Sequence, residues 1–306
     1  MTGDRTVRLD DWVRASGLAR IDAQALVRHV LGLDRAQQAA RPEQPVGGED
    51  LARLDRLATR LREGEPLAYV VGSREFYGLE FDVTPDVLIP RPETELLVDL
   101  AIERLDALPH DRAARALDLG TGSGAIAIAL AVQRPALEVW AVDSSAAALA
   151  VAKTNALRLL DPARPGGPIR FVQSRWFDAL DRPGSGCPRF DCIASNPPYV
   201  AAHDPHLQAL RFEPALALVG ADPNADGLGD IRHIVGQAAR FLVPGGWLLL
   251  EHGHDQAAAV RAALQAAGYA AVRSHRDLAG IERVSVGRTP AAAEESPASG
   301  KARRGP

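Results

Sequence analysis

From residue 116 onward the chain alternates short apolar runs with helix-patterned runs, and that alternation restricts the fold more than any other feature. Ala116-Leu117-Asp118-Leu119 is followed by a glycine-rich turn and an alanine-rich helix over 125–132, and the run 138–142 by a helix over 146–159. Runs at 169–172, 190–194 and 247–250 continue the series, with helices near 231–242 and 256–267 and strands near 271–274 and 283–286. Strands separated by single helices predict right-handed crossovers, hence an open and largely parallel α/β sheet with helices on both faces, the doubly wound fold. In such a sheet a ligand sits beyond the carboxyl ends of the strands, where strand order reverses. The segments that leave the first and fourth strands are therefore the places to look for chemistry.

The chain before that point is organised differently. Over 1–72 the apolar residues Leu9, Trp12, Val13, Ile21, Leu26, Val27, Val30, Leu31, Leu51, Leu54, Leu57 and Leu61 recur at helical spacing and predict three or four short helices, with Asp22 as an N-cap, Gly32 closing a helix and a loop over 41–48. Arg-Glu-Phe-Tyr-Gly-Leu-Glu-Phe-Asp-Val-Thr from Arg74 alternates apolar and polar residues around Gly78, a β-hairpin pattern. The expected organisation is a helical domain over 1–72, a hairpin linker over 73–90, the doubly wound domain over 91–288 and a disordered tail over 289–306, where Ala, Glu, Ser, Pro, Lys and Arg follow one another without period.

Composition excludes several classes. Acidic and basic residues balance over 1–72, and the whole chain carries a formal charge of −4, which argues against a partner held mainly through its phosphates. No apolar run is long enough to span a bilayer and the first residues are polar, so a cytoplasmic protein without membrane contact is expected, and a monomer. Cys187 and Cys192 are too few for a disulfide framework or a zinc site, and both are expected reduced. His252, His254 and Asp255 follow a strand but lack a further ligand, so no metal is expected.

Gly120-Thr121-Gly122-Ser123-Gly124-Ala125 leaves the first parallel strand and opens a helix, the context in which glycines let a backbone approach a ligand. Asp143 ends the second strand, where a carboxylate can accept both hydroxyls of a ribose. The pair indicates a nucleoside-bearing cofactor. Because Ala125 can stand for the last glycine of the dinucleotide fingerprint, the spacing leaves a nicotinamide cofactor open as well.

Ser195-Asn196-Pro197-Pro198-Tyr199 leaves the fourth strand. Two prolines lack N–H groups and hold their own φ near −65°, and the first pushes Asn196 into an extended conformation. The corner offers acceptors, Asn196 Oδ1 and the Pro197 carbonyl, beside the flat face of Tyr199, a set suited to a planar NH2 group. A strand-ending turn would look the same in isolation. Beside the cofactor it does not, and a dehydrogenase would need a general acid that Asn and two prolines cannot supply.

With these residues in hand the chain resembles the S-adenosylmethionine-dependent methyltransferases that act on planar NH2 groups, and more narrowly the protein-(glutamine-N5) methyltransferases of the PrmC/HemK type, which modify peptide chain release factors. The likeness is carried by Arg74-Glu-Phe-Tyr-Gly, Leu88-Ile-Pro-Arg-Pro-Glu-Thr-Glu, Leu117-Asp-Leu-Gly-Thr-Gly-Ser-Gly-Ala, Ala141-Val-Asp, Ser195-Asn-Pro-Pro-Tyr, Arg211-Phe-Glu-Pro, Asp226-Gly-Leu and Leu250-Glu-His-Gly. It implies a Rossmann-like methyltransferase fold over 91–288 and a substrate-binding role for the helical domain. It also implies S-adenosylmethionine contacts from Gly120, Thr121, Gly122, Ser123, Gly124 and Asp143, with Trp176 near the adenine and Asn196 touching both cofactor and substrate. Arg175 stands where the family commonly has an acidic residue, and the segment between Tyr199 and Arg211 is slightly shorter than in relatives.

The expected reaction is methyl transfer to the side-chain nitrogen of a glutamine, implied by the resemblance to lie in a Gly-Gly-Gln loop. Asn196, Pro197 and Tyr199 would act on the amide, Asn196 and Pro197 by accepting its two N–H groups and Tyr199 by stacking, and Pro198 would complete the substrate-binding corner. Two other readings stay open: a nucleic-acid adenine or cytosine N-methyltransferase, whose flipped base would present the same NH2 group, and a non-catalytic module that binds cofactor or release factor.

Overall fold

The computed structural model describes residues 6–109, 112–220 and 226–291. At the N-terminal end lie β1 (Thr6–Arg8), α1 (Leu9–Ala15), α2 (Arg20–Leu31), α3 (Arg35–Ala40), β2 (Pro45–Gly47), α4 (Gly48–Arg62) and α5 (Leu67–Val71). Their apolar faces meet in one cluster that includes Leu9, Trp12, Leu26, Val27, Leu51 and Leu54. Trp12 Nε1–H donates to Asp55 Oδ1 at 2.8 Å and so joins α1 to α4. Two details differ from the sequence reading. Part of the expected loop is a strand, β2, paired antiparallel with β1 from Thr6↔Gly47 to Arg8↔Pro45. Asp22 does not cap α2, which begins at Arg20 and holds Asp22 within its first turn.

The linker hairpin is β3 (Ser73–Phe76) and β4 (Leu79–Asp82). Its two-residue turn, Tyr77 and Gly78, has positive φ at both positions (54° and 73°), the geometry that matches the twist of a tight hairpin. Tyr77 is kept there by giving its N–H to Glu95 Oε1 at 2.8 Å and its hydroxyl to Asp99 Oδ1 at 2.6 Å. Phe76 and Phe81 are buried against the helices that follow.

A short 3-10 turn (Pro92–Thr94) leads into α6 (Glu95–Asp106), and then come β5 (Arg115–Leu119), α7 (Ala125–Gln133), β6 (Glu138–Asp143), α8 (Ala146–Leu159), β7 (Arg170–Gln173) and β8 (Phe190–Ser195). After a further 3-10 turn (Pro205–Gln208) come α9 (Ala215–Val219), α10 (Gly229–Ala238), β9 (Leu242–Glu251), α11 (Ala257–Ala266), β10 (Ala270–Arg276) and β11 (Glu282–Arg288). The sheet runs β10-β11-β9-β8-β5-β6-β7, with β9, β8, β5, β6 and β7 parallel and β11 inserted antiparallel between β9 and β10. This is the doubly wound α/β architecture expected, and its order reverses between β5 and β8.

The expected helix over 231–242 ends four residues early, at Ala238, because Leu242 already pairs with Phe190 and Pro244 forbids a helical continuation. Thr289 and Pro290, placed in the tail by composition, still bond to the sheet, Thr289 N–H to Gly246 O at 2.9 Å and Gly245 N–H to Pro290 O at 3.1 Å. The remainder of the expected tail, 292–306, lies outside the described residues.

Asn155, on α8, ties the linker to the sheet. It is fully buried, its Nδ2 donates to Asp82 O and Ser123 O at 2.9 Å each, and its Oδ1 accepts Asp82 N–H at 2.8 Å. One side chain thereby satisfies the end of β4 and the turn before α7. Asn155→Ala should destabilise the protein by about 2–4 kcal/mol, since it strands these three backbone groups; urea unfolding of the two proteins measures the difference.

Candidate functional site

Leu119 and Ser195 are register partners at the ends of β5 and β8, and Ser195 Oγ–H donates across to Leu119 O at 2.7 Å. The next residues, Gly120 and Asn196, therefore leave the sheet side by side. Gly120 has φ of 75°, and a Cβ there would stand 3.6 Å from the Trp176 ring and 4.0 Å from the Asn196 carbonyl, filling the gap between the two segments. A cavity of about 180 Å³ opens at this point.

Of the residues singled out in sequence, Gly120, Thr121, Gly122, Ser123, Asp143, Trp176, Asn196 and Pro198 line the cavity. Gly124, Pro197 and Tyr199 are not on its wall. Gly124 caps α7, and Pro197 is buried. Tyr199 gives its hydroxyl to Glu251 Oε1 at 3.3 Å, and its carbonyl accepts from Gln256 Nε2 at 3.0 Å. Burial, with Glu251 beside it, raises the pKa of the Tyr199 phenol, so the hydroxyl stays a donor. Trp176 holds a positive φ of 47° and donates its indole N–H to Asp230 Oδ1 at 3.0 Å, which fixes the ring at the cavity edge. Arg175, also on the wall, is exposed.

Four N–H groups of the glycine-rich turn are paired within the protein. Gly120 and Thr121 N–H both bond to Val142 O (2.8 and 2.9 Å), Gly124 N–H bonds to Thr121 O (2.8 Å), and Gly122 N–H bonds to Asp143 Oδ2 (2.9 Å). A pyrophosphate needs such donors free and aimed at it. Four of the turn's donors are spent in this way, which weakens the support that the bare glycine spacing gave to a dinucleotide. Asp143 also accepts Ser145 N–H at 2.9 Å; burial raises its carboxyl pKa while these N–H bonds pull it down. Each of its oxygens has a second lone pair left for a hydroxyl. Asp86, Asp143 and Asp230 share the wall with Arg91 and Arg175, and Arg91 is already paired with Glu213. Carboxylates in surplus and a flat indole fit a cationic nucleoside such as S-adenosylmethionine.

Several wall residues were not picked out in the sequence. Arg91, framed by prolines, pairs with the buried Glu213, which also accepts Ile89 N–H at 3.1 Å. That contact attaches Leu88-Ile-Pro-Arg-Pro to Arg211-Phe-Glu-Pro and sets Pro214, Leu216 and Ala217 along the opposite wall. Thr94 lies on the wall too and accepts Asn196 Nδ2–H at 3.1 Å. Gly227, with φ of 68°, packs so closely on Tyr199 that a Cβ would meet its carbonyl oxygen at 2.3 Å, which accounts for the glycine of Asp226-Gly-Leu. The signal for all of these was present as motifs, but each works through a partner in a distant motif.

His252, in the segment that follows β9, is buried. Its Nδ1 bonds to Gly253 O at 2.9 Å and its Nε2 pairs with Ser285 Oγ at 2.8 Å, so both ring nitrogens are used inside the fold, and burial lowers its pKa toward the neutral form.

Comparison with known proteins finds relatives over most of the chain. A family model described as the PrmC N-terminal domain matches residues 13–72, and one described as the methyltransferase small domain matches residues 98–212. The release factor glutamine methyltransferase of Burkholderia pseudomallei is 55% identical over 280 residues, covering 91% of this chain and 95% of that protein. Its namesake in Bordetella pertussis is 49% identical over 282 residues, covering 91% and 98%. The one from Escherichia coli is 46% identical over 278 residues, covering 90% and 94%.

Beneath the turn, Asp118 is fully buried, accepting Thr121 Oγ1–H at 2.6 Å and Ala127 N–H at 3.2 Å, while its Oδ1 has no partner. Burial pushes its pKa up to about 7, against the pull of those two donors. The folded state therefore keeps a proton that the unfolded chain releases near roughly pH 4, and this contribution to stability is lost as pH rises toward 7. Measured by thermal unfolding, the Tm of wild type relative to Asp118→Asn should fall from pH 5 to pH 8 and level off above it. Glu251, whose pKa burial also raises to about 7, titrates in both proteins and drops out of the difference.

Proposed function

The chain belongs to the release factor glutamine methyltransferases, and on that premise we propose that it methylates the side-chain nitrogen of a glutamine, in the Gly-Gly-Gln loop of a peptide chain release factor, at the corner formed by Asn196. It does so in the cytoplasm as a monomer, on protein rather than nucleic acid, with the helical domain of 1–72 gripping the substrate. Among the described residues no helix is long and apolar enough to cross a membrane.

S-adenosylmethionine supplies an electrophilic methyl group on a positively charged sulfur. Gly120, Thr121, Gly122 and Ser123 would bring backbone to it, Asp143 would take the ribose hydroxyls, and Trp176 would offer the adenine a flat wall. Gly124 contributes by capping α7 and holding the turn in shape. The remaining task is orientation, because an amide nitrogen is a poor nucleophile whose lone pair is delocalised into its carbonyl. Asn196 Oδ1 and the Pro197 carbonyl accept the two N–H groups of the glutamine and aim the nitrogen at the methyl carbon, which turns the encounter into a matter of proximity. Transfer would form the nitrogen–carbon bond at the expense of the cofactor's sulfur–carbon bond, and one amide proton would be released to water. Pro198 keeps the corner rigid. Tyr199, tied at its hydroxyl and its carbonyl, braces that corner.

The observation that carries this reading is the bond from Asn196 Nδ2–H to Thr94, which occupies the amide's donor end and leaves Oδ1 as the acceptor. Labelled methyl transfer from S-adenosylmethionine to a purified release factor, with DNA as the comparison, tests the substrate class; transfer to DNA alone would overturn it. Asn196→Ala should lower kcat by about 100-fold or more with cofactor affinity kept within several-fold. Turnover close to wild type in that variant would reject the role given to Asn196.

A further inference from the structure

Behind Asn196 stand two polar residues that the reaction does not touch. Asn196 Nδ2–H donates to Thr94 Oγ1 at 3.1 Å, so Thr94 acts there as an acceptor and has its own hydroxyl proton to give away. Glu251, 1% exposed, takes the Tyr199 hydroxyl on Oε1 at 3.3 Å, while its Oε2 is buried with no donor. The Thr94 hydroxyl lies against that carboxyl and favours its ionised form. The uncommitted proton and the unserved oxygen belong to neighbouring side chains, 4% and 1% exposed.

We propose that Thr94 donates its hydroxyl proton to Glu251 Oε2, and that Thr94 and Glu251 are positioning residues which hold the Asn196 amide with Oδ1, and not Nδ2, toward the nitrogen to be methylated. The inference rests on the reading of Asn196 as the acceptor for the substrate NH2 group. An asparagine amide turned by 180° has almost the same shape, so packing alone does not choose between its two faces and its hydrogen-bond partners must. In the turned state Thr94 would have to donate to Oδ1, Glu251 Oε2 would remain buried without a donor, and the Asn196 NH2 group would face the substrate NH2 group, donor against donor. Once ionised, above about pH 7, the Glu251 carboxylate only accepts and so sets the direction of the chain from Asn196 through Thr94. Because the same carboxylate holds Tyr199, both ends of the Asn-Pro-Pro-Tyr corner are referred to one buried point at the end of β9.

The test uses the full chain. Thr94→Val keeps the shape and removes the hydroxyl, and it should lower kcat for release-factor methylation by about 10- to 100-fold with KM and cofactor affinity within about 3-fold. Thr94→Ser should restore kcat to within several-fold of wild type, which a purely space-filling role would not produce, and Glu251→Gln should behave like Thr94→Val. A readout that needs no turnover is the side-chain amide signal of Asn196 in ¹H–¹⁵N spectra, assigned by its loss in Asn196→Asp. One of its two protons should exchange slowly in wild type, quickly in Thr94→Val, and slowly again in Thr94→Ser. Wild type that fails to methylate the release factor overturns the proposed function, and the amide exchange then decides the relay by itself. Active wild type with a Thr94→Val kcat within 2-fold of it, or amide exchange unchanged in that variant, overturns the relay and leaves the function standing.

Discussion

Ser195 passes its hydroxyl to the carbonyl of Leu119 at the last rung of the pairing between β5 and β8, and nearly everything in the site follows from those two strand ends being level. A parallel pair has evenly spaced bonds, so a slip of one residue would exchange the faces of every following side chain. Held in register, the two strands release Gly120 and Asn196 at the same height. One segment then turns away with bare backbone and the other stays extended into two prolines. The cavity is the space between them.

Around that space, distant parts of the chain are joined by single buried polar side chains. Asn155 ties the linker hairpin to the turn before α7, Glu213 ties the proline-framed Arg91 to the far wall, and Glu251 holds Tyr199 from the end of β9. Each bonds groups that would be costly to leave unpaired in the interior. Apolar packing gathers the layers, but it has no direction. The polar residues supply the direction, and they do so where a ligand has to be aimed.

Much of this was legible in the amino-acid sequence. The doubly wound sheet followed from the alternation of runs, and the neighbouring exits of Gly120 and Asn196 followed from where such sheets bind ligands. What could not be read were partnerships across more than a hundred residues. Thr94 and Arg91 stood inside a motif already noted, but nothing local says that their partners lie beyond residue 190. The β1–β2 pair was missed for a related reason, since three residues containing a proline give too little alternation to register as a strand. Tyr199 was expected to present its face to the substrate; its anchorage on Glu251 depends on β9, which periodicity places without specifying which carboxylate turns inward.

The internal pairing of the glycine-rich turn bears on selectivity. Adenosine is the handle shared by many cellular molecules, ATP and the nicotinamide dinucleotides among them, and a site that recognised only ribose and adenine would be crowded by them. Here the amides of Gly120, Thr121, Gly122 and Gly124 are already engaged, and acidic side chains stand along the same wall. An anionic nucleotide could place its sugar and base but would find repulsion where its phosphates must go. What the turn withholds therefore sorts one adenosine derivative from the rest by charge.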